Sequence, residues 1–249
     1  MNYKLLLLFS SVLCLVFISE GKSITFRNYN NAISTIQKEE KTITDETLIK
    51  LFDKLKEFAG NDFHISSQNV FTNSTLIYIN GTVSDVHVID PSAYTVSEAH
   101  ADMENLEFNV NIEYQILNIT GNYDLLADND MFHLIGNGSL SVNITKPQIT
   151  VAWKFNLTKE ETIEVQYFDF NYIVPDIKVY IANLGGDEEV SQTLNDLINV
   201  ALPSIINVTK GDIEKMVNQI VQHYSLFFLT GMTVDQFVEH VYQIIDLYI

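Results

Sequence analysis

Alternation is the feature of this chain that most restricts its fold. Phe108, Val110, Ile112, Tyr114 and Ile116 alternate with Asn109, Asn111, Glu113 and Gln115. Leu140, Val142 and Ile144 alternate with Ser139, Ser141 and Asn143, and Ile149, Val151, Trp153 and Phe155 with Thr150, Ala152, Lys154 and Asn156. Successive strand residues point to opposite faces, so these runs describe antiparallel strands buried on one face and wet on the other. Further strands are expected over 75–83, 162–170 and 176–182.

Helical periodicity flanks the strands. The first 21 residues are followed by two expected helical segments, the clearer of which carries Leu48, Leu51, Phe52, Leu55 and Phe58 at three- and four-residue spacing. Thr44 or Asp45 stands where an N-cap belongs, and Gly60 just past the end. After residue 186 a stripe of Val190, Leu194, Leu197, Ile198, Ala201, Leu202 and Ile205 reads as a core-facing helix. Pro203 is expected to kink or divide it. A second stripe runs from Ile213 to Tyr224 and a third from Val234 to Ile245. The order of helix, many antiparallel strands and long apolar helices predicts an α+β fold.

The compartment is written at the N-terminus. Lys4 precedes an apolar run from Leu5 to Ile18, and Ser19 and Gly21 are small residues at the −3 and −1 positions of a cleavage site. The run is too short for the ~20 residues of a membrane span, so residues 1–21 read as a secretory signal peptide and 22–249 as a single exported domain. The one cysteine, Cys14, leaves with the leader, and the mature core holds together without a disulfide. A net charge of −18 with a single arginine, Arg27, excludes nucleic acid and anionic membrane as partners, since both need clustered cations. No later segment suits stable membrane insertion.

Export makes the N-glycosylation sequons meaningful. They stand at Asn73, Asn80, Asn118, Asn137, Asn143, Asn156 and Asn207. Asn137 and Asn143 share the polar parity of their strand, so sugars there project outside the sheet. Asn118 carries the inward parity of Phe108–Ile116. It is expected to be bare unless a bulge or strand end near Leu117 re-phases the chain, since a one-residue slip exchanges the faces.

Catalytic and metal motifs are absent. The histidines at 64, 87, 100, 133, 223 and 240 lack the close sequence pairing of zinc sites. The stretch from Asp128 has His133 and Ser139 where a calcium loop needs glycine and glutamate. Gly136-Asn137-Gly138 lacks the third glycine of a dinucleotide fingerprint, and no nucleophile elbow occurs. No metal, cofactor or catalytic residue is assigned, and the chain reads as a non-enzyme.

Gly121-Asn122-Tyr123, Gly136-Asn137-Gly138, the passage through Asn183, Leu184 and Gly186, and the apolar C-terminal helix together carry a resemblance. The chain resembles the takeout and juvenile-hormone-binding family. Its cysteine-free mature part is closer to the group 7 mite-allergen family, because the takeout pattern carries an N-terminal disulfide. Both belong to the tubular lipid-binding superfamily. That resemblance implies an elongated, strongly curved antiparallel sheet wrapped around a long apolar C-terminal helix.

It also implies a small hydrophobic ligand (a lipid, fatty acid or terpenoid) held in an internal cavity. Phe108, Val110, Ile112, Tyr114, Leu140, Val142, Ile144, Val151, Trp153 and Phe155 would then line the cavity. Alternation says which side is buried and not whether a void exists, so a second reading stands beside it. In that reading the chain is an extracellular recognition or structural glycoprotein with a filled core and no ligand.

Overall fold

The computed structural model describes residues 41–73, 78–128, 133–229 and 231–246. The signal peptide and the first expected helical segment lie outside these, as does part of the strand expected over 75–83. The elements are α1 (Asp45–Ala59), β1 (Asp62–Asn73), β2 (Tyr78–Ile89), β3 (Tyr94–Asp102), β4 (Glu107–Tyr114), β5 (Ile116–Asp128), β6 (His133–Thr145), β7 (Gln148–Leu157), β8 (Ile163–Ile173), β9 (Asp176–Ile181), α2 (Glu188–Leu229) and α3 (Val234–Asp246).

Local chemistry bounds α1. Thr44 is its N-cap, with Oγ1 accepting from the Thr47 N–H at 3.2 Å, and Asp45 and Glu46 sit where the helix dipole favours anions. Gly60, at φ 66°, closes it in a left-handed conformation that glycine adopts without strain. Leu48 and Phe52 are buried, and the Tyr94 hydroxyl donates to the Phe52 carbonyl at 2.6 Å, tying α1 to β3.

The nine strands form two antiparallel sheets, ordered β1-β2-β5-β6-β9 and β3-β4-β7-β8. The lateral orders correspond. β2 runs into β3, β4 into β5, β6 into β7 and β8 into β9, and each passage lies at the same end of the ladder. Four strands thus continue from one sheet into the other across a common crease, giving the curvature that the resemblance implies.

The crease has a chemical cause. Pro91, Pro147 and Pro175 stand on it, each without an N–H for the ladder. Asp90 and Lys146 adopt φ of 51° and 52° there. Lys146 donates its N–H to the Gln115 carbonyl at 3.0 Å and Tyr114 its N–H to the Pro147 carbonyl at 3.1 Å, so adjacent bends support each other.

The crease also corrects a parity. β4 ends at Tyr114 and the chain changes sheets at Gln115. Ile116 is exposed and Leu117 and Ile119 are buried, opposite to an unbroken 108–116 alternation. Asn118 therefore lies on the outer face, half-buried, directly opposite Asn143.

The helix α2 differs from expectation in two ways. It runs unbroken through Pro203, joining the first two apolar stripes into one helix of 42 residues. Its first stripe also does not face the core as a whole: Leu197 is 61% exposed, and Val190, Ala201 and Ile205 are exposed too. The reason is that α2 docks through polar side chains at Ser191, Asn195 and Asn199, one turn apart, onto the free edge of β9. Leu202, Ile206 and Val217 continue the docked face into the core.

Candidate functional site

The buried faces of both sheets and all three helices join one apolar cluster. In the four-stranded sheet, Phe108 lies opposite Trp153, Val110 opposite Val151 and Ile112 opposite Ile149. In the five-stranded sheet, Val142 is flanked by Ile119 on β5 and Val179 on β9, and Ile144 by Leu117 and Ile177. Phe108, Val110, Ile112, Tyr114, Val142, Ile144, Val151 and Phe155 are buried; Leu140 and Trp153 are half-buried against the same cluster. The crease brings the β6 residues and those of β4 and β7 together into one interior.

Helices supply residues that strand alternation could not reveal. Phe237 of α3 packs on Phe108 and Phe155, with ring centroids at 6.0 and 5.3 Å. Phe52 of α1 stands 6.2 Å from the Trp153 ring, and Phe168 of β8 stands 5.7 Å from it. The amphipathic spacing of α1 and α3 announced apolar faces, but not the strands those faces would meet.

The polar atoms of this interior are turned to backbone. The Tyr114 hydroxyl donates to the Pro91 carbonyl at 2.9 Å, as Tyr94 does to Phe52. Burial pushes both phenols far above their ordinary range, so each is a neutral donor. Opposite parity carries the charge: on the outer face Lys154 donates to Glu107 at 3.0 Å and the Tyr167 hydroxyl to Glu107 at 3.1 Å. The Lys154 hydrogen bond holds the Glu107 carboxyl below the usual carboxylate range.

Where α2 closes the molecule, asparagines replace strand partners. The Asn195 amide pairs with Ile181 and the Asn199 amide with Val179, both on β9. The Asn218 Oδ1 accepts from the Phe170 N–H of β8 at 2.9 Å. β9 and β8 are the edge strands of the two sheets, so one helix seals both edges. The Ser191-x3-Asn195-x3-Asn199 spacing, which sets three small polar side chains one turn apart, was the available signal for this.

The family-like elements converge at the start of that helix. The Tyr123 hydroxyl donates to the Ala182 carbonyl at 2.6 Å. A Cβ on Gly136 would come within 2.6 Å of that hydroxyl, and one on Gly138 within 2.8 Å of the Ala182 carbonyl oxygen. Leu184 bridges to Gly136, and Gly185 donates its N–H to the Ile135 carbonyl at 3.2 Å. The glycines are needed because the Tyr123 ring and the chain leaving β9 at Ala182 and Asn183 pass too close to β6 for a Cβ.

Of the sequon asparagines, Asn80, Asn137, Asn143, Asn156 and Asn207 are exposed; the Asn73 side chain lies outside the described residues. The histidines, scattered in sequence, meet in one case: His64 and His87 are cross-strand partners with stacked rings 4.5 Å apart, and His87 Nδ1 lies 2.8 Å from Asp62. Among the described residues no cluster of metal-ligating side chains occurs, and no helix is long and apolar enough to cross a membrane.

A family model described as haemolymph juvenile hormone binding protein matches residues 61–239. Among solved structures, the chain is similar to Takeout 1 of Epiphyas postvittana, with 12% identity and a TM-score of 0.44 over 69% of this chain and 81% of that one. It is similar also to a lipopolysaccharide binding protein, with 15% identity and a TM-score of 0.37 over 76% of this chain, spanning 40% of the other. No curated protein matches by sequence.

Proposed function

Because the chain belongs to the haemolymph juvenile hormone binding protein family, we propose that it is an exported glycoprotein that carries a small hydrophobic ligand between its two sheets. The family is one of binding proteins, and its lipid- or hormone-binding fold is the premise. The observation that carries the reading is the continuous apolar interior contributed by β4, β6 and β7 and roofed by α1 and α3. Ligand surface buried there gains roughly 25 cal/mol per Å² removed from water, without any catalytic group. A lipid, fatty acid or terpenoid fits this chemistry; a charged solute does not, since Tyr94 and Tyr114 already donate their hydroxyls to backbone.

Residues 1–21 are proposed as the cleaved leader and 22–249 as one domain. Protein purified from its natural source and extracted into organic solvent should release a stoichiometric apolar compound visible by mass spectrometry. An empty extract from folded protein that also fails to take up added fatty acids or terpenoids would rule out the carrier.

A second reading is favoured by a different observation. Leu197, Val200 and Val208 form an exposed apolar stripe along α2, a surface suited to extracellular recognition by a glycoprotein whose core is filled. Exposed-face substitutions such as Val200→Asp would then abolish function with ligand content unchanged.

A further inference from the structure

Where β6 passes the end of β9, the surface holds a cleft of about 370 Å³ lined by Ile135, Gly136, Asn137, Asn183, Gly185 and Gly186. Ile135 and Asn137 are both exposed and share the outward parity of β6, so the cleft opens away from the apolar interior. Asn137 is the only sequon asparagine that lines it. The Asn183 Nδ2 donates to the Asn137 backbone carbonyl at 3.2 Å and to its Oδ1 at 3.4 Å. That contact engages the side-chain oxygen and is compatible with substitution at Nδ2, the atom an N-linked sugar joins.

The walls suit a sugar ring. Ile135 is a 55% exposed apolar side chain that can meet the C–H face of a pyranose. Gly136, Gly185 and Gly186 bring bare backbone to the other sides; the Gly185 and Gly186 N–H groups are taken by the Ile135 and Asn183 carbonyls, so backbone C=O groups are what this wall offers to hydroxyl and acetamido donors. Gly185 and Gly186 hold φ of 84° and 77° to form this wall.

We infer that the cleft seats the first N-acetylglucosamine of a glycan on Asn137, and that this sugar braces the β6–β9 junction from which α2 departs. The attachment takes place on the extended chain. Asn137 Nδ2 displaces the diphosphate of a lipid-linked oligosaccharide at the anomeric carbon, forming a C–N bond, breaking a C–O bond and losing one proton. Folding then brings Asn183, Gly185 and Gly186 against the attached sugar.

The inference rests on the export reading, and the test separates the two. Protein secreted with oligomannose glycans is trimmed enzymatically to one N-acetylglucosamine per site; complete release is not used, because it turns each glycosylated Asn into Asp. The wild type should keep its Tm on trimming. Ser139→Ala, which abolishes the Asn137 sequon and leaves Asn137 and its Asn183 contacts in place, should after the same trimming melt about 2–4 °C below it, the shift that a single modest contact produces at this size. Trimmed Thr145→Ala, which removes only the Asn143 sequon, should melt with the trimmed wild type. Asn137 found bare while Asn143 or Asn156 carries sugar, or trimmed Ser139→Ala melting with the trimmed wild type, overturns the inference and leaves export standing. A secreted chain bare at every sequon removes both.

Discussion

The side chain of Asn195 pairs with the backbone of Ile181 as a neighbouring strand would. Its Oδ1 accepts from the Ile181 N–H and its Nδ2 donates to the Ile181 carbonyl, both at 2.8 Å. Asn199 repeats the pair on Val179, two residues earlier, also at 2.8 Å in each direction. The repeat is metrically sound: four helical residues rise about 6.0 Å and two strand residues about 6.6 Å. Asn195→Ala leaves the Ile181 N–H unpaired, at about 1–3 kcal/mol, while the Ile181 carbonyl keeps the Ser191 hydroxyl at 3.1 Å. Urea denaturation should therefore show a loss on the order of 1–3 kcal/mol. Asn195→Asp keeps the acceptor but sets a buried carboxylate against the Ile181 and Ser191 carbonyls, so at neutral pH it should cost at least as much as the alanine. A loss below 0.5 kcal/mol for both would mean that α2 is held by its apolar contacts alone.

Glycine positions give predictions of opposite sign. A Cβ on Gly138 would press on the Ala182 carbonyl at 2.8 Å, and backbone cannot swing aside as a side chain can. Gly138→Ala preserves the sequon yet should destabilise by about 1–3 kcal/mol. Gly211 lies inside α2 with open space around its Cβ position, so Gly211→Ala should stabilise by about 0.5–1 kcal/mol. Melting curves of the two variants, moving to either side of the wild type, are the check; shifts in the same direction would contradict this account.

Alkaline pH should weaken the fold through its tyrosines. Burial, reinforced by the Glu214 carboxylate, pushes Tyr172 up to about 12 from an ordinary 10, and burial raises Tyr94 and Tyr114 further. The folded state keeps these phenols neutral where the unfolded chain would ionise them. Their stabilisation is therefore complete below about pH 10 and is lost as pH rises through the raised values. Tyr114→Phe should cost about 0.5–1.5 kcal/mol at pH 8, from the bond to Pro91. Its further decline above pH 10 should be shallower than the wild type's. Denaturation midpoints read alongside tyrosinate absorbance test this, and parallel declines in the two proteins would refute it.

The sequence disclosed the strands whose two faces differ most. β4, β6 and β7 alternate cleanly because one side is core and the other water. β1 and β3 were missed for physical reasons: β1 reads Ser66-Ser67-Gln68-Asn69 in its middle, and the β3 register shifts between Val96 and Glu98, so neither presents a steady period of two. The crease was legible in principle, since Pro91, Pro147 and Pro175 each follow a strand and stop its ladder. What alternation could not convey is that the chain changes sheets at Gln115, which inverts the parity of Ile116 and carries Asn118 outward. The α2 stripe misled because periodicity locates an apolar face without saying that Asn195 and Asn199, on the face beside it, hold the helix to β9. Of the ten candidate lining residues, eight are buried on their strands and Leu140 and Trp153 are half-buried; burial alone does not assign them a ligand.

Val142 offers a measurement that does. It is buried at the middle of the five-stranded sheet's inner face, between Ile119 and Val179, away from the Phe108–Phe155–Phe237 stack. In a carrier, Val142→Phe places its ring in ligand space. Stability should then fall by less than about 1 kcal/mol, while the affinity for an apolar fluorescent probe drops at least tenfold. In a filled core the same ring overpacks, costing about 1–3 kcal/mol, and the wild type binds no probe at all. Trp153, the only tryptophan, reports from within, its ring packed with Phe52 of α1 and Phe168 of β8. A long-chain fatty acid or terpenoid should change its emission saturably in the wild type and require higher concentrations in Val142→Phe. If the wild type stays folded and its Trp153 emission is unmoved across a broad lipid panel, the interior is solid and the exposed stripe of α2 becomes the surface to pursue.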